Sequence, residues 1–284
     1  KLELNKNLYL VQRILKRKTQ AKLAFAKGQI KKANKYLQKA NTAFRFLLKK
    51  TNSSTQSKLH KVLASLALTG ALTLASAQAA TITVTTLLDE NNGNTGSIAL
   101  LQGTPGGGEI SLREAVIAAN NTAGDDVIQL VAGSTYPLNV FVTTGEEFAA
   151  QGDLDIRNNG SITIELVSAG ANAIIDGNAT DQVLHILAGA SLILNNITVQ
   201  NGRSLTSGAG LLKAGTCVLN NSTVTGNVIP AIATAAYGAG IFNDGTTGAV
   251  CTINNSILSN NQNLDSFGGA MVNYQGGTIN LNNS

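Results

Sequence analysis

From Leu192 onward apolar residues return at every second position in short blocks, and each block carries a pair of asparagines after its first three residues. The blocks run Leu192 to Val199, Cys217 to Val224, Cys251 to Leu258 and Ile279 to Ser284. Their inward-reading positions are Leu192 and Leu194, Cys217 and Leu219, Cys251 and Ile253, and Ile279 and Leu281. A period of two predicts strands. The asparagine pairs begin at Asn195, Asn220, Asn254 and Asn282, giving steps of 25, 34 and 28, while Gly208, Gly238 and Gly268 lie 30 apart. Irregular steps around a fixed block predict connections of varying length. One such unit cannot bury its apolar row alone, so neighbours must stack into a continuous core, which makes the expected fold all-β and a parallel β-helix. An antiparallel sandwich is the rival, but it would not need the same block at equivalent positions. Glycine suits the corners of such a stack because it accepts positive φ. Asparagine tolerates the same left-handed corner, and identical asparagines stacked at strand spacing can exchange amide hydrogen bonds.

A different period occupies Ile110 to Asn121. Ser111 and Glu114 have the spacing of a capping box, and Leu112, Ala115, Val116 and Ala119 follow at helical spacing to give one narrow apolar face. Asn120 or Asn121 is expected to end the helix in the left-handed conformation. So short a helix must lie on something apolar, and the open end of a stack of strands needs such a cover. Residues 80–130 are therefore expected to form an N-terminal strand and cap helix, and 131–284 the coils of the β-helix. Helical spacing also marks residues 7–26 and 29–50, with Gly28 as a joint.

Charge divides the chain more sharply than its net +5 implies. Lys1 to Ala79 holds 17 of the 21 basic residues and a single acid, Glu3, for +16; Ala80 to Ser284 holds four basic residues and fifteen acids, for −11. Lys58 and Lys61 precede an apolar run from Val62 to Leu74, then Ala77-Gln78-Ala79. That is the layout of a secretory signal peptide at 58–79, cleaved after Ala79; a buried helix is the alternative. Residues 1–57 are expected to be a basic helical extension, a solvated positive segment or one lying at an anionic membrane face. The acidic part would repel phosphate, which argues against nucleic acid as a partner of the solenoid. With Met271 the only methionine and Ser284 inside a repeat, the sequence is expected to be a fragment truncated at its C-terminus.

Ile110 to Asn121 resembles the Cys-Ser-Leu-Arg-Glu-Ala motif domain found near the start of exported bacterial repeat proteins. The likeness extends through Gly152 to Ile156, Ile174 to Asn178, Gly238 to Asn243 and Gly268 to Met271. It is similar also to the passenger repeats of chlamydial polymorphic outer-membrane proteins, of which only the Gly-Gly-Ala part is present. The resemblance implies a right-handed, single-stranded parallel β-helix outside the cell or at its surface. The family's leading cysteine is Ile110 here, so any bridge made by that cysteine is absent.

Cys217 and Cys251 fall in the same slot of successive blocks and are expected to be stacked in the core, either bridged or as two small hydrophobes. Candidate chemistry is sparse. The acidic part carries one lysine (Lys213), three arginines (Arg113, Arg157, Arg203) and one histidine (His185). Arg113 is expected to be a structural partner of the cap helix. Asp153, Asp155 and Arg157 alternate along one strand; the two acids are the best local candidates for a cation, with outward, solvated side chains or a turn anchor as the plainer expectation. His185 reads as a hydrogen-bonded strand histidine, and Asp125-Asp126 and Glu146-Glu147 as polar loops. No zinc spacing, phosphate loop or nucleophile elbow is present, and no cofactor is expected. The expectation is an exported, non-catalytic, adhesin-like or autotransporter-passenger solenoid that meets a host-cell, matrix or polysaccharide surface. The alternative is a polysaccharide lyase or glycoside hydrolase of the pectin-lyase-like type, with Asp153 and Asp155 as first suspects.

Overall fold

A computed structural model describes residues 79–140, 147–233, 236–265 and 267–284, together with Lys16, Lys35 and Lys39. The chain divides into two compact units, Lys1–Ala75 and Ser76–Ser284. In the first, Lys16, Lys35 and Lys39 are helical and exposed. The remainder of the expected basic extension, and the expected signal peptide up to residue 78, lie outside the described residues.

The second unit is mostly β, and among its described residues every strand pairing is parallel. The first sheet has the order β1 (Thr81–Thr83), β2 (Asp126–Leu130), β5 (Ser161–Leu166), β8 (Ser191–Asn195), β11 (Thr216–Asn220), β15 (Val250–Asn254) and β19 (Thr278–Asn282). The second runs β3 (Thr135–Pro137), β6 (Ala173–Asp176), β9 (Ile197–Gln200), β12 (Thr223–Thr225) and β16 (Ile257–Ser259). The third runs β4 (Leu154–Ile156), β7 (Leu184–Ile186), β10 (Leu211–Lys213), β14 (Ile241–Asp244) and β18 (Met271–Tyr274). A two-stranded pair, β13 (Val228–Ile229) with β17 (Gln262–Asn263), lies in the longer connections. The chain visits first, second and third sheets in turn and returns to the first, so that neighbours in space are successive visits.

Register follows the alternation read from the sequence. Leu192, Cys217, Cys251 and Ile279 are mutual partners along the first sheet, as are Leu194, Leu219, Ile253 and Leu281. Through Cys251 and Ile253 these rows are buried and join one core that begins at Ile82. A smaller cluster of Ala209, Ile229, Ala233, Ala236 and Ala239 fills the space under the connections between second and third sheets. Those connections, residues 201–210, 226–240 and 260–270, and those from third sheet to first are where the variable step length resides.

Each asparagine pair divides its work. The first members form a ladder along the first sheet: Asn220 Nδ2 donates to Asn195 Oδ1 (2.8 Å), Asn254 to Asn220 (2.8 Å) and Asn282 to Asn254 (2.7 Å). Asn195 Nδ2 lies 3.5 Å from Glu165 Oε2. The second members, Asn196, Asn221, Asn255 and Asn283, turn the corner with φ between 48° and 58°. The serine that follows links coils again, with Ile197 N donating to Ser222 Oγ (3.1 Å), Ser222 N to Ser256 Oγ (3.0 Å) and Ser256 N to Ser284 Oγ (3.2 Å). Gly208, Gly238 and Gly268 have φ of 67°, 60° and 76°. A Cβ on Gly238 would sit 2.3 Å from Ile241 O, so both conformation and space require glycine there.

Before the coils come α1 (Ile98–Gly103) and α2 (Leu112–Asn121). Helix α2 begins at the expected capping box: Ser111 Oγ accepts from Glu114 N (3.1 Å) and Ser111 N donates to Glu114 Oε2 (3.0 Å). Glu114 Oε1 also accepts from Asn92 N (2.9 Å) and Gly93 N (2.6 Å). Two expectations for this helix are corrected. Its buried surface is not a narrow face, because every residue from Leu112 to Asn120 is buried, with α1 packed on one side and β2 and β4 on others. Nor does a left-handed asparagine end it: Thr122 caps it at φ −96°, and Thr122 Oγ1 donates to Ala118 O (2.8 Å).

Asn120 serves instead as a stand-in for a missing strand. Its Nδ2 donates to Asp155 O (2.7 Å) and its Oδ1 accepts from Arg157 N (2.8 Å), both on the edge of β4 that no strand pairs. One side-chain amide therefore occupies the donor and acceptor positions that a neighbouring backbone would fill.

Candidate functional site

The outer face of the third sheet carries the chemistry. One outward row runs, in register, Asp155, His185, Leu212, Phe242 and Val272. It begins acidic and ends apolar.

At the acidic end Asp155 is fully buried and Asp153 is 7% exposed, correcting the expectation of solvated acids. The cause is the segment 147–153, which folds over the sheet. Ala149, at φ 59°, donates from its N–H to Asp155 Oδ2 (2.9 Å). Arg113, buried in α2, holds the same segment by its carbonyls: Nη1 donates to Ala149 O (2.8 Å) and Asp153 O (3.3 Å), and Nη2 to Gly152 O (2.7 Å). The guanidinium is itself fixed by a two-point pair with Asp89, Nε to Oδ1 at 2.6 Å and Nη2 to Oδ2 at 3.0 Å. Asp89 Oδ2 also accepts from Asn139 N (2.6 Å) and Val140 N (2.8 Å). Arg113 is thus the joint between cap helix, covering segment and β4.

His185 faces Asp155 across the strand pair, with Nδ1 3.1 Å from Oδ1, and its side chain is 18% exposed. One ligating atom from each of Asp153, Asp155 and His185 lies within 4.8 Å of the other two. Asp181 stands close by, and burial pushes its carboxyl above the usual range. The N–H groups of Gln182 and Asp153 pull it down, the charge of Asp155 pushes it up and Arg113 pulls it down. Carboxylate and imidazole in this arrangement can hold a divalent cation or move a proton.

At the other end lies an aromatic cluster. Tyr237 has its ring centroid 6.1 Å from Phe267, 6.2 Å from Phe242 and 6.3 Å from Tyr274, with interplanar angles from 8° to 23°. Phe242 and Tyr274 are 5.8 Å apart. Phe242 is buried beneath the cluster, whereas Phe267 is 69% and Tyr274 40% exposed. Leu264 and Ile232, in the adjoining connections, are also exposed. Residues 80–284 hold seven aromatics, so more than half are in this one place.

Other charged and sulfur groups fall away from this face. Lys213 points inward and is fully buried, in register with Ile186 and Asn243; Nζ donates to Gly215 O (2.6 Å) and Asn243 Oδ1 (2.7 Å). Burial holds its ammonium below the usual range, offset by the neighbouring Cys251 and Cys217. Both cysteines are free, buried and in register; burial raises Cys217 well above the ordinary thiol value and Cys251 to about 11. Asp126, expected in a polar loop, is instead the buried first residue of β2. Its Oδ1 accepts from Ala80 N (3.0 Å), Oδ2 has no partner, and burial raises its carboxyl. Glu147 is exposed and Glu146 lies outside the described residues.

Sequence reasoning found Asp153 and Asp155 but not their burial, since the covering segment has no periodic signal. It placed His185 on a strand without its partner, although the offset between Asp155 and His185 equals the spacing of 30 read from the glycines. The aromatic cluster comes from two stretches, Tyr237 with Phe242 and Phe267 with Tyr274. It was legible in the 30-residue spacing of Tyr237 and Phe267, which precede Gly238 and Gly268, but the period of two carries no signal for it. The chain matches no protein-family model, no curated protein and no solved structure.

Proposed function

We propose that this chain is an exported, right-handed, single-stranded parallel β-helix that presents its outer surface, without catalysis, to an uncharged polysaccharide at or outside the cell surface, in the manner of an adhesin or autotransporter passenger. The observation that carries the reading is the half-exposed cluster of Tyr237, Phe242, Phe267 and Tyr274 on the third sheet. Exposed rings held on a rigid sheet lose little freedom on binding, and an apolar face flanked by polar groups suits the alternating apolar and hydroxyl surfaces of a sugar chain. The excess of acids in residues 80–284 disfavours an anionic polymer. The Cys-Ser-Leu-Arg-Glu-Ala likeness supports export, and the parallel stacking supports the coil.

A second reading, hydrolysis or elimination on a polysaccharide, is favoured by Asp153, Asp155 and His185 sharing one outer face. One experiment separates the two. The full chain is incubated with insoluble neutral polysaccharides, and both retention and released product are measured. Saturable retention without product, lost on the Phe267→Ser/Tyr274→Ser double substitution, is expected. Product release abolished by Asp153→Asn would replace the binding reading with the enzymatic one.

A further inference from the structure

We propose that Asp153, Asp155 and His185 bind a divalent transition-metal ion of the zinc type, and that this ion fastens the segment 147–153 to the third sheet. The site goes beyond the polysaccharide reading and stands or falls independently of it.

Distance is the first ground. Two ligands held about 2.0–2.2 Å from one ion are at most about 4.4 Å apart. Neighbouring ligands of a tetrahedral ion lie about 3.4 Å apart; Asp155 Oδ1 and His185 Nδ1, at 3.1 Å, are already near that separation, and all three ligating atoms lie within 4.8 Å of one another, so closure draws the widest pair in by roughly 1 Å. The backbone supplies the same constancy: Asp155 and His185 are register partners on adjacent strands, and Asp153 precedes β4 by one residue.

Charge is the second. Exposed acids are common without an ion, but Asp155 is fully buried and Asp153 nearly so. Buried carboxylates are compensated by hydrogen bonds, by ion pairs or by a metal. The nearest permanent cation, Arg113, is engaged at two points by Asp89 and meets the segment at the carbonyl oxygens of Ala149, Gly152 and Asp153. Asp181 adds a further carboxyl near Asp155. Asp155 is met by His185 Nδ1 and Ala149 N, and a divalent ion would add positive charge where the Asp153 and Asp155 carboxylates come together.

Donor type is the third. Calcium takes six to eight oxygens, whereas one imidazole with two carboxylates matches zinc and its neighbours. Asp155 Oδ2 is oriented by Ala149 N, the kind of outer hydrogen bond that fixes a metal-binding carboxylate. The partly exposed side chain of His185 gives the ion a route in and leaves coordination open to water.

The test uses the full chain and the metals Zn2+, Co2+ and Ca2+ alone. The sequence has two histidines, His60 and His185, which makes the ring signals assignable. One equivalent of Zn2+ is expected to bind, with Ca2+ much weaker, and Co2+ is expected to broaden the His185 ring signals while leaving those of His60 sharp. His185→Gln, a change at a partly exposed side chain, should weaken Zn2+ binding by at least about tenfold with the circular dichroism unchanged. Asp155→Asn should do the same; if it unfolds the chain, the histidine signals and His185→Gln decide. No Zn2+ binding, equal broadening of both histidines, or unaltered affinity in His185→Gln would overturn the site.

Discussion

Two adjacent asparagines of the same repeat are chemically identical and physically opposite. Asn220 keeps ordinary strand geometry and works through its side chain, between Asn195 and Asn254. Asn221 works through its backbone, at φ 49°. Asn220→Ala therefore removes two amide hydrogen bonds and is expected to cost about 1–2 kcal/mol in urea unfolding. At Asn221 glycine should be nearly neutral, while Asn221→Val, a β-branched residue forced left-handed, should cost about 1–2 kcal/mol or more. Reversed effects would mean that the roles are exchanged. The buried Lys213 gives a pH signature. Its folded pKa is lowered, so it penalises the fold where it is charged, and stability rises as pH climbs through the folded pKa toward the ordinary lysine value of 10.5. Cys217 and Cys251 have raised pKa values, so their contribution is complete below the ordinary thiol value of 9.0 and is lost as pH rises toward about 11 for Cys251. Urea midpoints across alkaline pH should climb and then fall, and Cys217→Ala/Cys251→Ala should lessen the fall, to which the buried Tyr136 hydroxyl, also pushed up by burial, contributes.

At the scale of elements, the cap helix matters through two side chains two turns apart. Arg113 and Asn120 both take backbone groups at the edge of β4, so the terminal strand of the third sheet is not left open to another chain. Asn120→Leu keeps the volume and leaves Asp155 O and Arg157 N without partners. A loss of about 2–4 kcal/mol is expected, with self-association visible by light scattering; a monomer of unchanged stability would show that the amide does not seal the edge. Much at this scale was legible in the sequence. The capping box, the inward rows and the stacked cysteines follow from spacing that local geometry enforces. Helix α1 was not legible, because Ile98 to Gly103 is too short to show a period. The all-round burial of α2 depends on that helix, and the burial of Asp155 depends on an aperiodic segment held by Arg113. Both are tertiary facts that no window of sequence contains.

Over the whole second unit, the strands of each sheet pair only with those before and after them in the stack, although Asn172 Nδ2 also reaches past one layer to Asn221 O (3.1 Å), and stability is expected to be close to a sum of local terms. Leu194→Ala, deep in the shared row, should cost about 2–5 kcal/mol. Its effect on amide exchange should be largest in β5, β8 and β11 and fade along the stack; uniform loss of protection would mean that the unit melts as one body. The asparagine row also has a sense, since each amide donates toward the preceding coil and the first points at Glu165. From β8 to β19 each strand of the first sheet consequently offers a donor on one side and the matching acceptor on the other, like couplings on identical railway carriages. Excising residues 196–220 would take one strand from each sheet and join Asn195 to Asn221, leaving a coupling that still fits. A chain shortened in this way is expected to keep both the sealed edge of β4 and the aromatic cluster around Tyr237.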